Sequence, residues 1–347
     1  MRDKSVSIAK AIAIILMVLA HARFNQFGET YINMFHMPLF FFFSGYCFKH
    51  RICVIDYCKK RITGIYIPFV KYSLIFLSLH NIFYHLNLYN NFYGFRGEVS
   101  HLYTLKDYSI RVLHILTRMT DNEQLLGGYW FLNTLFFCSF IALALILIDR
   151  KFQIGGVKML IISLLITFFS IPVPYFNIGM REMLATSFFL FGYYYKQTNW
   201  KVESSSILIP VCAIIVLIGA IVFPTNMLNL TRINVLPYTL FALSGTLMVF
   251  SFSKLISSSN SNVVKSLDYI GNNTLIILTW HFLCFKLITL LIIKVKGLPI
   301  EQLAEFPVIE HFARSGWWIL YTIIGVALPI CLSKFDIFIR NNYKSIQ

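Results

Sequence analysis

Apolar tracts long enough to enter or cross a lipid bilayer recur from one end of this 347-residue chain to the other. The hydrocarbon core of a bilayer is about 30 Å thick, a distance that an α-helix of about 20 residues spans. Backbone polar groups cannot be left unpaired in hydrocarbon, so such tracts must be helices or the strands of a closed barrel. Barrel strands alternate apolar and polar residues, whereas these tracts are continuous apolar runs. The chain therefore reads as an all-α integral membrane protein, a bundle of about ten transmembrane helices. The predicted spans are 6–22, 31–48, 65–84, 129–148, 157–172, 183–195, 205–223, 234–251, 274–293 and 317–333. Composition agrees: 57% of residues are hydrophobic and only 13% charged, where soluble domains carry about a quarter charged residues.

The net charge of +15 does not imply nucleic acid, because the basic residues are scattered through the short segments between tracts. With the N-terminus inside, inner segments hold 17 Lys and Arg, from Arg2 and Lys4, through Arg51, to Arg340 and Lys344; outer segments hold 10. Four of those ten, Arg96 among them, lie in one long loop, 85–128, where charge weighs less. This bias and the even span count predict both termini in the cytoplasm. The whole of 1–347 reads as one membrane domain. Within the long loop, 105–119 has apolar residues at helical spacing and is predicted to form an interfacial helix. The seven cysteines show neither a CxxC nor a metal-ligand spacing, so no disulfide and no metal site is expected. No cleavable signal peptide is apparent at the first tract.

All fifteen carboxylates fall outside the spans or at their edges, Glu29 and Glu182 lying nearest. Ion-coupled transporters usually carry an acidic group within the membrane, so a transporter is disfavoured. What lies within the spans is Lys10, His21, His36, Lys71, His80, His281 and Lys286. Lys71, His80 and Lys286 read as snorkelling or hydrogen-bonded structural groups. Lys10 and His21 differ. Eleven residues at 100° each return the second side chain to within about 20° of the first, about 16 Å along the axis. One face of the first helix thus offers a cation near one end and an imidazole near the other. That suits an extended anionic cofactor entering from the cytoplasm with its reactive end at His21; it would equally suit a polar stripe in a bundle.

The stretch Ser7-Ile-Ala-Lys-Ala-Ile-Ala-Ile-Ile-Leu-Met-Val-Leu-Ala-His21, followed by Phe35-His-Met-Pro-Leu-Phe-Phe-Phe-Phe-Ser-Gly-Tyr46, closely resembles acyltransferase family 3, and within it the fucose 4-O-acetylase-like branch. Lys60-Arg61 with Ile67-Pro68-Phe69, Tyr129-Trp-Phe-Leu132, Phe188-Phe-Leu-Phe-Gly-Tyr193 and Tyr269-Ile-Gly-Asn-Asn-Thr-Leu275 extend the likeness over essentially all spans. The family pattern sets a basic residue ten positions before a His, here Lys10 and His21, and an Arg-x-x-Arg before the third span. The second Arg of that pair is Gly64 here, so Lys59 and Lys60 are left to add charge beside Arg61.

The resemblance implies a multi-pass enzyme of the bacterial inner membrane that moves an acetyl group from cytoplasmic acetyl-CoA to a sugar hydroxyl of a surface glycan or its lipid-linked precursor, without a metal. Membrane lipid, acyl-CoA and the glycan are the expected partners, and nucleic acid is not. His21 is the expected general base, since neutral imidazole takes a proton near pH 7. His36, at similar depth, would orient His21, donate to the oxyanion or position the sugar. Lys10, Lys60 and Arg61 would contact the cofactor phosphates. Tyr129, Trp130 and His281 are the expected sugar contacts, although the two aromatics suit an interfacial belt as well. A glycan flippase and a glycan polymerase are the rival readings; neither requires the Lys10–His21 pair or the motif at 35–46.

Overall fold

The computed structural model describes residues 3–49, 53–93, 99–121, 123–198 and 201–344, with side chains to 334. Arg2, Arg51 and Arg96, and the side chains of Arg340 and Lys344, all counted in the charge bias, lie outside this description. Among the described residues the chain is all-helical, apart from one isolated bridge between Val173 and Ile178. The helices are α1 (Lys4–His21), α2 (Gln26–Asn33), α3 (His36–Tyr46), α4 (Val54–Arg61), α5 (Ile67–Ser78), α6 (His80–His85), α7 (Leu105–Arg118) and α8 (Trp130–Phe152). They continue as α9 (Gly156–Phe168), α10 (Met180–Gln197), α11 (Leu208–Val222), α12 (Val235–Ile256), α13 (Asn262–Asn272), α14 (Thr274–Lys296) and α15 (Trp318–Lys344).

Among the described residues, five helical segments are long and apolar enough to cross a membrane: Lys4–His21, Gln124–Phe152, Arg232–Ile256, Thr274–Lys296 and Glu310–Lys334. The other expected spans are helical but shorter, interrupted or more polar. With 13 and 15 residues, α9 and α11 rise only about 20 to 22 Å. The 18 residues of α10 include Arg181, Glu182 and Lys196.

Two interruptions matter for the site, and each follows from a proline. Pro38 lacks the N–H that would bond the Met34 carbonyl, and its ring crowds that carbonyl. The expected span 31–48 accordingly breaks at Met34–Phe35 into α2 and α3, with His36 opening the second helix. Pro68 does the same to the Gly64 carbonyl, and Ile62–Tyr66 relaxes into a π-helical turn between α4 and α5.

α1 is the axis of the bundle, starting at Asp3, whose side chain accepts from the Ser5 amide at 3.0 Å. It packs against α2, α3, α12, α13, α14 and α15. Backbones approach closely at two crossings. At α3–α10, a Cβ on Gly45 would lie 1.7 Å from the Phe189 carbonyl oxygen, and one on Gly192 would lie 1.9 Å from that of Phe42. At α1–α13, a Cβ on Gly271 would lie 1.7 Å from the Ser7 carbonyl oxygen. Small residues at helix crossings are how membrane bundles gain contact without a hydrophobic driving force. The predicted interfacial segment forms α7, opened by reciprocal bonds between Thr104 and Asp107. Only Ile115 of α7 is buried, and Leu105, Ile110, Leu113 and Leu116 are exposed.

Candidate active site

Two cavities lie along one stripe of α1. The first, about 440 Å³, is lined near the start of α1 by Lys10, near the end of α3 by Ser44 and Cys47, and by Lys49, Lys60, Arg61 and Gly64. Its deeper wall is apolar: Ile14, Phe40, Phe43, Ile65, Phe131, Leu132 and Leu275. The π-helical turn places Arg61 and Gly64 at its rim. The Arg61 guanidinium lies 4.8 Å from the Tyr57 ring centroid, which fixes a side chain that would otherwise be mobile.

The second cavity, about 490 Å³, surrounds the other end of α1 and is the more polar of the two. His21 and His36 line it, with Arg23, Glu29, Asn33, Trp130, Asn133 and Arg181. The wall is completed by Asn177, Asn226 and residues Phe306–Pro307 of the loop after α14. Among the described residues, only Met17, Met37 and Leu278 line both cavities.

Tautomers in the second chamber follow from the acceptors around each ring. His281 Nδ1 lies 2.9 Å from the Ile277 carbonyl oxygen and 3.1 Å from that of Leu278. Carbonyl oxygens only accept, so Nδ1 of His281 carries its proton. In the neutral ring Nε2 is then an acceptor, and His21 Nδ1, 3.1 Å away, donates to it. The remaining nitrogen of neutral His21, Nε2, therefore holds a lone pair. His36 Nδ1 donates to the Ile32 carbonyl at 2.9 Å, an oxygen at the end of the helix that Pro38 interrupts, and its Nε2 is likewise an acceptor. A neutral His36 thus has no proton left for an oxyanion, which removes one of the three roles expected of it.

Charged groups in the chamber are paired. Arg23 donates to Glu29 at 2.7 Å, and Arg181 donates to Glu182 at 2.6 Å while its guanidinium lies 5.3 Å from the Trp130 ring centroid. Glu29 and Glu182 are both buried, so carboxylates that the sequence placed at span edges in fact stand inside the bundle. Three buried atoms of the chamber residues have no hydrogen-bond partner: Glu29 Oε1, Arg23 Nε and Asn133 Oδ1. Burying such atoms unpaired costs about 1–3 kcal/mol each, which a polar ligand would recover.

The expected site residues are thus sorted. Lys10, Lys60 and Arg61 share the first cavity; His21, His36 and Trp130 share the second. His281 is fully buried behind His21 and lines neither cavity. Tyr129 lines neither: its hydroxyl is bonded to Thr279 at 2.7 Å and its ring packs against Phe69. The sugar contacts expected of His281 and Tyr129 therefore find no support in the geometry. His80 lies outside both cavities, between Glu123 at 2.9 Å and the His101 carbonyl at 3.0 Å. Lys286 is buried and donates to the Glu305 carbonyl at 2.7 Å, tethering the loop that carries Phe306 and Pro307. Sequence reasoning missed Lys49, Arg23, Asn133, Arg181 and the three residues common to both cavities. The only signal for the arginines was their closeness in sequence to Glu29 and Glu182.

The family model of the acyltransferase domain matches residues 3–334, nearly the whole chain. The protein is a member of acyltransferase family 3. No curated protein and no solved structure matches it. Both cavities lie within the matched region, and membership makes the chain a multi-pass membrane acyltransferase.

Proposed function

We propose that this acyltransferase is an O-acetyltransferase of the fucose 4-O-acetylase-like branch. In this reading it sits in the bacterial inner membrane with ten spans and both termini cytoplasmic. Acetyl-CoA enters the Lys10 cavity from the cytoplasm, its phosphates beside Lys10, Lys60 and Arg61. The acceptor, a sugar of a surface glycan or its lipid-linked precursor, occupies the histidine chamber. The observation that carries this reading is the pairing of the cavities: a basic mouth with an apolar throat abuts a more polar chamber lined by His21, whose Nδ1 is engaged by His281 and whose Nε2 keeps its lone pair.

The chemistry requires little else. The sugar hydroxyl attacks the thioester carbonyl carbon while its proton passes to His21 Nε2. The carbonyl oxygen gathers negative charge, for which Arg23 and Asn33 are among the donor-bearing residues of the wall. Collapse of the tetrahedral adduct breaks the C–S bond, and the departing thiolate takes the proton back from the His21 imidazolium. His36 Nε2 accepts from a sugar hydroxyl and positions it. His281 touches no reactant; it holds His21 in the tautomer that can act as base. Lys10 in place of the usual Arg supplies a point charge without bidentate geometry. A flippase would need a passage wide enough for a sugar, and the three apolar side chains between the cavities argue against one.

The deciding experiment compares surface glycans, by mass spectrometry, from cells carrying wild-type protein and His21→Gln at matched abundance. Loss of the base should lower transfer by about 10² to 10⁴. Wild-type acetylation in the His21→Gln cells would show that His21 only positions a group.

A further inference from the structure

The two cavities touch at one place. Met17 comes from α1, Met37 from α3 and Leu278 from α14, and among the described residues no other lines both spaces. All three are buried, at 2%, 7% and 6% exposure. Each stands within a turn of a histidine on its own helix: Met17 before His21, Met37 after His36, Leu278 before His281. The wall between the cavities is therefore an apolar tier laid against an imidazole tier. Leu278 is seated on Gly128, where a Cβ would lie 2.9 Å from its Cδ1, so any larger residue at position 128 would displace it. The two methionines are unbranched and can change rotamer at little cost.

Resting on the acyl-transfer reading, we infer that Met17, Met37 and Leu278 form a collar that admits only a short acyl chain to His21 and closes the histidine chamber to the Lys10 cavity. Leu278 is the fixed side of the collar and the methionines the adjustable side. A two-carbon acyl group reaches past them with its carbonyl facing the imidazoles while the pantetheine stays in the Lys10 cavity. Each added methylene must occupy volume that the polar chamber gives to the sugar or that the collar already fills. A methylene that does not fit an apolar pocket is worth about 10- to 200-fold in discrimination. Excluding water from the Lys10 side also protects the thioester from hydrolysis at the activated imidazole.

The test uses full-length protein in proteoliposomes with the acceptor glycan, reading CoA release from acetyl-, propionyl-, butyryl- and hexanoyl-CoA. Wild type should fall steeply along the series. Met37→Ala and Met17→Ala should raise the butyryl-to-acetyl ratio about tenfold or more, while Met37→Leu keeps the wild-type order. Unchanged ratios in both alanine variants, with acetyl transfer retained, overturn the collar. A second readout needs no turnover. Ala20→Cys, on the chamber wall, is probed from the Lys10 face with a charged, membrane-impermeant thiosulfonate, and labelling of that residue is read by peptide mass. It should stay unlabelled in the wild-type background and react when Met37→Ala is added; equal labelling in both backgrounds refutes the seal. Absence of CoA release from every donor, with this labelling contrast intact, would sink the acyl-transfer reading and leave the collar standing.

Discussion

Replacing His281 with Leu removes a side chain that lines neither cavity and lies 260 residues from its partner, yet it should slow catalysis. In the wild type the 3.1 Å bond from His21 Nδ1 to His281 Nε2 does two things. It disfavours the alternative His21 tautomer, in which two lone pairs would face each other. It also strengthens when His21 becomes imidazolium, because a hydrogen bond to a charged group contributes about 1.5–3 kcal/mol against 0.5–1.5 for a neutral one. Only the strengthening, about 1–1.5 kcal/mol, acts on the transition state alone. Adding the lost tautomer bias, about 0.5–1.5 kcal/mol for the neutral bond, gives about 1.5–3 kcal/mol, a roughly 10- to 150-fold fall in kcat/KM. His281→Gln keeps an oxygen able to accept from His21 and should restore most of the rate. The assay is acetyl-CoA turnover by purified protein, with KM for acetyl-CoA measured alongside and expected to stay put. The decisive arm is a double-mutant cycle: in a His21→Ala background, His281→Leu should cost almost nothing more. An equal loss in both backgrounds would make His281 a packing residue and refute the positioning argument.

The cofactor mouth gives a matched pair of outcomes: Arg61→Ala should raise KM for acetyl-CoA with kcat little changed, because phosphate contacts serve ground and transition states alike. Gly64→Arg should lower that KM, since a Cβ at Gly64 meets nothing within 4 Å and the position lines the same cavity. Gly192→Ala should lose folded protein in a thermal-melt assay of the detergent-solubilised enzyme, by more than the usual 1–3 kcal/mol of overpacking, because the added methyl meets the Phe42 carbonyl oxygen at 1.9 Å. For topology, a reporter after position 347 should read as cytoplasmic, and a cysteine at Ser100 should label from outside; labelling at position 100 only from the cytoplasmic face would overturn the orientation.

Much of the scaffold is legible in the sequence because bilayer thickness leaves few options. The tracts that became α1, α8, α12, α14 and the segment ending in α15 are long, apolar and nearly uncharged. The shared face of Lys10 and His21 is a consequence of helix pitch alone, and both residues do line the stripe of cavities along α1. The break at Met34–Phe35 was written in Pro38, but a proline in the first turn of a helix and one inside a long span look alike in an apolar run. Gly45, Gly192 and Gly271 stand within the stretches that carry the family resemblance, and in the structure they let helix backbones approach closely.

What the sequence hid is long-range and apolar. Nothing at position 281 says that its ring faces residue 21, since periodicity reports which face of a helix is polar, not what stands opposite. Glu29 looked like an edge carboxylate because the turn that folds α2 back against Arg23 depends on two residues six apart finding each other. Met17, Met37 and Leu278 were invisible for a deeper reason. In a membrane protein a side chain facing lipid, core or an internal passage can be equally hydrophobic, so hydropathy cannot separate the three. The polar tier of the site therefore shows in sequence as anomalies within apolar helices, and can be predicted. The apolar tier beside it carries no anomaly, and only the positions of α1, α3 and α14 around one point reveal it.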